Sequence, residues 1–191
     1  MAPLPPEQCY TYADLLSWDD SIRYELYDGQ PVALASPSNE HQLICMEMSR
    51  QLANYLVGKR CKVYPAPFDV RLFEEEDDSP EDISVVVQPD ISVVCDPRKT
   101  DGHGCKGAPD LVIEVTSPST AHYDHLLKFN LYQRAGVREY WIVDPATRVV
   151  SVYTLEENGK YQAAAYGADA SVPVRVLGDC TIDLSTVFPE G

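Results

Sequence analysis

Apolar residues recur at spacings of three and four in two stretches of the chain, a pattern typical of amphipathic helices. In the first stretch, residues 40–57, Ser38 or Asn39 can cap the start and Gly58 follows the end. Its predicted buried face consists of Leu43, Cys45, Met46, Leu52, Ala53 and Leu56. The second stretch, AHYDHLLKFNLYQRA, follows the capping sequence SPST and ends before Gly136. A shorter helix is predicted over Tyr12–Trp18.

Elsewhere the pattern changes to short apolar runs, which are typical of β-strands. The runs QPDISVVCD, DLVIEV and EYWIVDP are predicted to contain buried strands. The run KVYPAPFDVRLF holds two prolines, which indicate an edge strand or a bend. Asp28-Gly29 and Asn158-Gly159 each separate two such runs and predict hairpins. Residues 172–188 are predicted to add short strands and a last turn.

The order of these elements is helix, strand, strand, strand, helix, strand, with further strands at both ends. This order predicts an α/β fold in which helices cover a mixed central sheet. A length of 191 residues argues for one domain, residues 1–191. We expect residues 1–36 to form an N-terminal helix and hairpin extension, and residues 150–191 a C-terminal hairpin and tail.

Charge narrows the classes of function. The chain has 15 Lys and Arg against 30 Asp and Glu, a net charge of −15, so a large basic surface for nucleic acid or anionic lipid is not expected. The acid-rich stretch EEEDDSPED is predicted to be a solvated loop. No apolar run is long enough to span a membrane, and the N-terminus lacks a signal-peptide pattern. We therefore expect a cytoplasmic protein whose six cysteines form no disulfide framework.

Two of the predicted buried strands carry carboxylates, which are costly to bury unless they are paired or bind a cation. If Asp90–Cys95 and Asp110–Val115 pair as an antiparallel hairpin, Asp90 comes to lie near Glu114. Two carboxylates this close favour a divalent cation between them, and oxygen ligands suit Mg²⁺ or Mn²⁺. Asp110 shares a face with Glu114 but stands about 13 Å away along the strand, so we interpret it as a turn residue.

A hydrolytic site also needs a group that positions water and offsets charge on a phosphate. Thr116, two residues after Glu114, carries no charge. Lys128 flanks the apolar stripe of the second long helix, where a lysine is most often a surface residue. The residues alone leave the source of a positive charge open.

The run from QPDISVVCD through GAPDLVIEVTSPST to LYQRAGVREYWIVDP resembles a large bacterial family of restriction endonucleases, formerly a domain of unknown function. That family lies within the PD-(D/E)XK nuclease-like superfamily. YELYDG and SPSNEHQLI resemble it as well, so the resemblance covers nearly the whole chain. It implies a restriction-endonuclease-like core of order αβββαβ and metal-dependent cleavage of nucleic acid.

The resemblance implies that Asp90 and Glu114 are catalytic and bind Mg²⁺ or Mn²⁺. Thr116 stands where the family usually has lysine, and Lys128 on the next helix is the implied replacement that orients the attacking water. A third acid from the N-terminal region often completes such sites, with Glu40 and Glu25 as candidates. Glu40 is otherwise a first-turn helix acid and Glu25 a strand residue facing solvent.

The residues and the resemblance together lead to two hypotheses about function, from different classes. The first is a Mg²⁺-dependent endonuclease acting on nucleic acid, with DNA as the first expectation and a homodimer as the expected assembly. The second is a catalytically inactive nuclease-fold module with a protein-interaction or structural role, which the net charge of −15 favours. A hydrolase of small phosphate esters stays a third possibility, although the chain has no P-loop. The nearest basic cluster, Arg98, Lys99 and Lys106, could contact a nucleic-acid backbone or be merely solvated.

Overall fold

A mixed six-stranded sheet lies at the centre of the computed structural model, which describes residues 8–19, 22–116 and 121–189. In chain order the helices and strands are α1 (Tyr12–Ser17), β1 (Tyr24–Tyr27), β2 (Gln30–Ala33), α2 (Asn39–Leu56), β3 (Lys62–Pro65), β4 (Val70–Arg71), β5 (Ile91–Val94), β6 (Thr100–Asp101), β7 (Gly104–Lys106), β8 (Leu111–Val115), α3 (Ala121–Ala135), β9 (Glu139–Asp144), β10 (Val149–Leu155), β11 (Tyr161–Gly167), β12 (Ser171–Pro173) and β13 (Thr181–Asp183).

The central sheet has the spatial order β11-β10-β9-β8-β5-β3. Strands β8 and β9 run parallel because α3 carries the chain back between them, and the other neighbours in this sheet are antiparallel. The elements α2, β3, β5, β8, α3 and β9 follow the predicted αβββαβ order, so the predicted mixed α/β architecture is confirmed.

The pairing of β5 with β8 decides which carboxylates can meet. The strands are antiparallel, with Ile91 opposite Ile113 and Val93 opposite Leu111. Continued by one residue, this register places Asp90 opposite Glu114, as the hairpin prediction required. Side chains alternate between the two faces of a strand, so Glu114 faces away from its buried neighbours Ile113 and Val115.

Each face of the sheet is covered by one long helix. On one face Ile44, Met48 and other apolar residues of α2 pack in a cluster that includes Ile113 and Trp141. On the other face Leu131 and Tyr132 of α3 pack with Val112, Tyr140 and Ile142. Glu114 therefore points towards α3, and any partner that it has must come from that side of the sheet.

The buried face of α2 differs from the predicted one. Its fully buried residues are Ile44, Met48, Leu52 and Leu56, at regular spacings of four. Leu43 and Met46, which the sequence placed on the buried face, are 57% and 69% exposed. The prediction was wrong because adjacent apolar residues in LICMEM allow two phases of the helical pattern, and packing against the sheet selects one of them.

The N-terminal hairpin forms as predicted. Asp28 and Gly29 both have positive φ angles, 48° and 78°, as a two-residue hairpin turn requires. Main-chain hydrogen bonds in both directions join Leu26 of β1 to Val86, which lies shortly before β5. This contact fixes β1, and with it Glu25, beside the central sheet.

Several smaller predictions can be compared with the structure. The stretch 62–73 bends after the edge strand β3, as its prolines indicated. α3 ends at Ala135, before Gly136, whereas the predicted cap SPST lies outside the described residues. The hairpin at Asn158-Gly159 and the short C-terminal strands β12 and β13 are present. No helix in the described part of the chain is long and apolar enough to cross a bilayer.

Two expectations need correction. Cys61 and Cys95, which flank the paired residues Lys62 and Val94, form a disulfide, whereas no disulfide framework was expected. The acidic stretch is mostly exposed, as predicted, but the Glu74 side chain is only 5% exposed. It pairs with the buried guanidinium of Arg71, which also pairs with Asp101, so two carboxylates offset the cost of burying that charge.

We predict that Ile44→Ala lowers the free energy of unfolding by about 2–5 kcal/mol, because it opens a cavity under α2. The matched variant Leu43→Ala removes a similar side chain that is exposed, and should change the free energy of unfolding by less than about 0.5 kcal/mol. Urea denaturation followed by circular dichroism measures both. A larger loss for Leu43→Ala than for Ile44→Ala would mean that the helix packs in the phase predicted from sequence.

Candidate functional site

A pocket of about 600 Å³ opens between the first turns of α2, the segment 34–38 and the adjoining ends of β5 and β8. Its lining includes the three predicted catalytic residues Asp90, Glu114 and Lys128. His41 and Cys45 of α2 line the opposite wall. Four separate parts of the chain thus place ionisable side chains in one cavity.

Glu114 is held by donors from α3. Its Oε1 accepts hydrogen bonds from Lys128 Nζ at 3.0 Å and from the Tyr132 hydroxyl at 2.7 Å. The pKa of Glu114 is raised to about 7, mainly by burial: Lys128 and the bond from Tyr132 oppose the rise, and the carboxylates of Asp90 and Glu25 add to it. The carboxyl group is therefore poised between its two protonation states near neutral pH in the absence of a cation.

Lys128 is not a surface residue. It is 5% exposed, and its Nζ lies 3.0 Å from Glu114 Oε1 and 3.2 Å from Glu25 Oε1. Burial alone would lower the pKa of this amine, but Glu114 and Glu25 outweigh burial and hold the pKa well above its usual value. Lys128 is therefore a charged ammonium shared between two carboxylates.

Of the two candidate third acids, Glu25 lies at this site and Glu40 does not. Glu25 is 1% exposed, so the alternative interpretation of a solvent-facing strand residue is wrong. Besides Lys128, it accepts hydrogen bonds from the Tyr27 hydroxyl at 2.6 Å and the Gln88 main-chain N–H at 2.8 Å. Glu40 is exposed in the first turn of α2 and is not among the residues that line the pocket.

Asp90 is positioned by the main chain of β8 and by α2. Its Oδ2 accepts a hydrogen bond from Val115 N–H at 2.8 Å and lies 3.1 Å from His41 Nε2. A carboxylate can only accept, so Nε2 carries the proton of this bond. The bond raises the pKa of His41 above its usual value, although burial opposes it.

The acids around Lys128 carry more charge than it can offset. When Glu25 and Glu114 are ionised, two carboxylates face one ammonium, while Asp90 pairs with His41. Among the described residues, hydrogen bonds reach Glu114 only at Oε1 and Asp90 only at Oδ2. One oxygen of each carboxylate is left for another ligand, so this donor set fits a divalent cation that prefers oxygen.

Sequence reasoning missed the partners on α2. His41, Cys45 and Asp90 form a cluster in which one possible ligand atom of each lies within 4.8 Å of the others. His41 Nδ1 is 3.6 Å from Cys45 Sγ, and burial raises the pKa of that thiol well above its usual value. The signal was available, since a spacing of four on a helix brings two side chains to one face.

The remaining residues singled out from the sequence have structural partners. The Thr116 hydroxyl donates to the Val143 carbonyl oxygen at 3.3 Å. Asp110 accepts from Cys95 N–H at 2.7 Å and pairs with Arg138, which agrees with its interpretation as a structural residue. In the basic cluster Arg98 pairs with Asp96 and Lys106 with Glu74, while Lys99 donates to the Ala108 carbonyl oxygen.

Comparisons with known proteins point the same way as this geometry. Residues 11–185 match the family model Uma2, described as "Putative restriction endonuclease". The "Uncharacterized protein slr1290" of Synechocystis sp. is 27% identical over 180 residues, which span 93% of this chain and 90% of that protein. A crystal structure from Anabaena variabilis, titled as "a putative nuclease belonging to DUF820", superposes with a TM-score of 0.73 at 19% identity. The superposition covers 93% of this chain and 97% of that one, and it shows the same fold.

We predict that Lys128→Met, measured in EDTA, lowers the free energy of unfolding by about 3–5 kcal/mol, because it strands two buried carboxylates without a counter-charge. Adding Glu25→Gln should recover part of that loss, with a coupling of about 0.5–3 kcal/mol in a double-mutant cycle. Glu40→Gln combined with Lys128→Met is the control and should be additive within about 0.5 kcal/mol. Additivity of the Glu25 pair would show that the two charges do not interact.

Proposed function

The chain belongs to the Uma2 family of restriction-endonuclease-like proteins, and from this membership we propose that it is a metal-dependent endonuclease that hydrolyses phosphodiester bonds in nucleic acid. The observation that carries the proposal is the position of Lys128. Its ammonium lies between Glu114 and Glu25 in the pocket that also holds Asp90. That set contains the two acids and the cation that such hydrolysis uses.

We assign Asp90 and Glu114 as the ligands of the metal ion, with Mg²⁺ or Mn²⁺ as the ion. Each has an oxygen that is free of hydrogen bonds from described residues, and both line the same pocket. When bound, the ion supplies a Lewis acid that stabilises negative charge on the scissile phosphate. Glu25 lies behind Lys128 and is assigned as the third acid, which fixes the ammonium rather than the ion.

Lys128 supplies the amine that the family usually places in the strand, at the position where this chain has Thr116. Its pKa lies well above the usual value, so it stays protonated at neutral pH and cannot act as the base. Its role is therefore to donate hydrogen bonds that orient the attacking water and offset charge on the phosphate. Tyr132 supports this geometry because it donates to the same oxygen of Glu114.

Access of a polyanion to the pocket needs local positive charge, because the whole chain carries −15. Arg23 lines the pocket together with Lys128 and His41. We assign Arg23 to the phosphate backbone of the substrate, with DNA as the first substrate to test. The proposal includes a single domain over residues 1–191 and a cytoplasmic location. It also includes a homodimer, whose two sites would cleave the two strands of a duplex.

The alternative is a catalytically inactive module with the nuclease fold and a protein-interaction or structural role. Two observations favour it: the net charge of −15, and Thr116 at the position of the usual lysine. The two functions separate experimentally, because only the endonuclease loses an activity when the acids around Lys128 are changed.

We predict that the wild-type protein nicks supercoiled plasmid at low salt with Mg²⁺ or Mn²⁺, and not with EDTA. Glu114→Gln, Asp90→Asn and Lys128→Met should each lower the rate by about 100-fold or more, since each removes charge stabilisation or a positioning contact. Gel analysis of plasmid forms over time, with identically purified proteins, measures the rates.

The two candidate third acids provide a matched pair of variants for this assay, with Glu40 as the control. Glu25→Gln should lower the rate by about tenfold or more because it loosens Lys128, whereas Glu40→Gln should leave it unchanged. Circular dichroism would confirm that all variants are folded. If the wild type cleaves neither plasmid nor single-stranded nucleic acid with either metal, the inactive module replaces the endonuclease.

We also predict that Arg23→Ala weakens binding to duplex DNA and makes the slope of log affinity against log salt shallower by about 0.7–0.9, the loss of one phosphate contact. Binding would be followed by fluorescence anisotropy in the Glu114→Gln background, which keeps the substrate intact. Arg98→Ala should leave the slope unchanged, because that guanidinium is already paired with Asp96. Equal slopes for Arg23→Ala and its parent would remove Arg23 from the interface.

A further inference from the structure

The wall of the pocket formed by α2 has a different chemistry from the wall formed by β8 and α3. Glu114 offers only oxygen, whereas His41 and Cys45 offer a ring nitrogen and a sulfur. Asp90 lies between the two walls, because it bonds Val115 N–H of β8 and faces His41 Nε2 of α2. One carboxylate is therefore within reach of two different sets of metal ligands.

We propose that His41, Cys45 and Asp90 form a second, thiophilic metal site, which takes Zn²⁺ or a similar borderline ion and shares Asp90 with the oxygen-only site. One ligand atom from each of the three residues lies within 4.8 Å of the others. Two ligands of one Zn²⁺ ion lie at most about 4.4 Å apart, the sum of the Zn–N and Zn–S bond lengths. A tetrahedral ion holds a nitrogen and a sulfur ligand about 3.6 Å apart, so the three ligand atoms need to approach one another by up to about 1.2 Å to bind it.

The backbone already provides most of this arrangement. His41 and Cys45 are four residues apart on α2, so their side chains lie one above the other on one face. The His41 Nε2–Asp90 Oδ2 separation of 3.1 Å is close to the spacing of about 3.3 Å between two ligands of a tetrahedral ion. The ion would take the place of the proton on Nε2, so that His41 binds as a neutral imidazole with its proton on Nδ1 and Cys45 binds as a thiolate, and the protons that Nδ1 does not take up would pass to solvent.

The two sites should bind different ions, because their ligand atoms differ. Thiolate and imidazole favour Zn²⁺, whereas carboxylate oxygens favour Mg²⁺ and Mn²⁺. Three protein ligands leave a fourth tetrahedral position open towards the pocket. Because Asp90 belongs to both sets, Zn²⁺ bound at His41, Cys45 and Asp90 Oδ2 places a second positive charge beside the site of the proposed function and competes with its ion for the same carboxylate. The inhibitory consequence rests on that function, but the binding itself does not.

Cobalt is the probe for the binding, since Co²⁺ occupies zinc sites and reports a sulfur ligand by a near-ultraviolet charge-transfer band. We expect this band when Co²⁺ is added to the full-length wild-type protein, and we expect Zn²⁺ to remove it. Cys45→Ser should abolish the band, and Asp90→Asn should weaken the affinity for Co²⁺ by at least about tenfold, since even an outer-shell partner is worth 10–100-fold. Cys9→Ser, at an exposed cysteine, should leave the spectrum unchanged.

Glu114→Gln separates the two metal sites, because it removes a ligand of the oxygen-only site and should leave the cobalt band intact. The absence of the band in the wild type, or its persistence in Cys45→Ser, would overturn the thiophilic site. Unchanged affinity in Asp90→Asn would overturn the sharing of Asp90. A protein that gives the band but no cleavage would keep this site and reject the endonuclease.

If cleavage is present, micromolar Zn²⁺ should inhibit the Mg²⁺-dependent reaction of the wild type. Cys45→Ser should need at least about tenfold more Zn²⁺ for the same inhibition, because its remaining ligands hold the ion less tightly. Equal sensitivity of the two proteins would show that zinc inhibits elsewhere.

Discussion

The candidate site depends on one buried ammonium. Lys128 is the cation that lies between Glu25 and Glu114, and all three side chains are removed from most solvent. Such an arrangement is stable only while the remaining lone pairs are satisfied. The hydroxyls of Tyr27 and Tyr132 meet that need, and burial keeps both phenols protonated by raising their pKa values well above the usual range. The aromatic side chains around the site are therefore part of its electrostatics.

The sheet explains why the proximity of Asp90 and Glu114 could be predicted from the sequence, whereas the identity of the third acid could not. Alternation along two short strands and an antiparallel register fix the pair, and both can be estimated from sequence. The choice of Glu25 over Glu40 depends instead on the main-chain bonds that join Leu26 to Val86, residues distant in sequence. The N-terminal hairpin thus supplies a residue of the site, and the family resemblance had offered Glu25 only as one of two candidates.

The errors in the fold prediction have physical causes of the same kind. The stretch containing Leu43 and Ile44 satisfies the helical period in two phases, and only contact with the sheet distinguishes them. The disulfide between Cys61 and Cys95 follows from the pairing of β3 with β5, which no local pattern in the sequence specifies. Elements set by local turn chemistry, such as the hairpin at Asp28-Gly29, were predicted correctly because their determinants are contiguous.

The energetic cost of the buried charges bears on the choice between an enzyme and an inactive module. Replacing a buried ionic cluster by apolar residues of similar volume is often neutral or stabilising, so stability alone gives no reason for two carboxylates around one buried lysine. A structural module with a net charge of −15 would also gain nothing from concentrating acids in a pocket that holds its least exposed lysine. A bound divalent cation would account for both the buried charges and the acids in the pocket. It would neutralise the excess negative charge and would be coordinated by the carboxylate oxygens that no described residue bonds. The arrangement is costly for a scaffold and useful for a hydrolase.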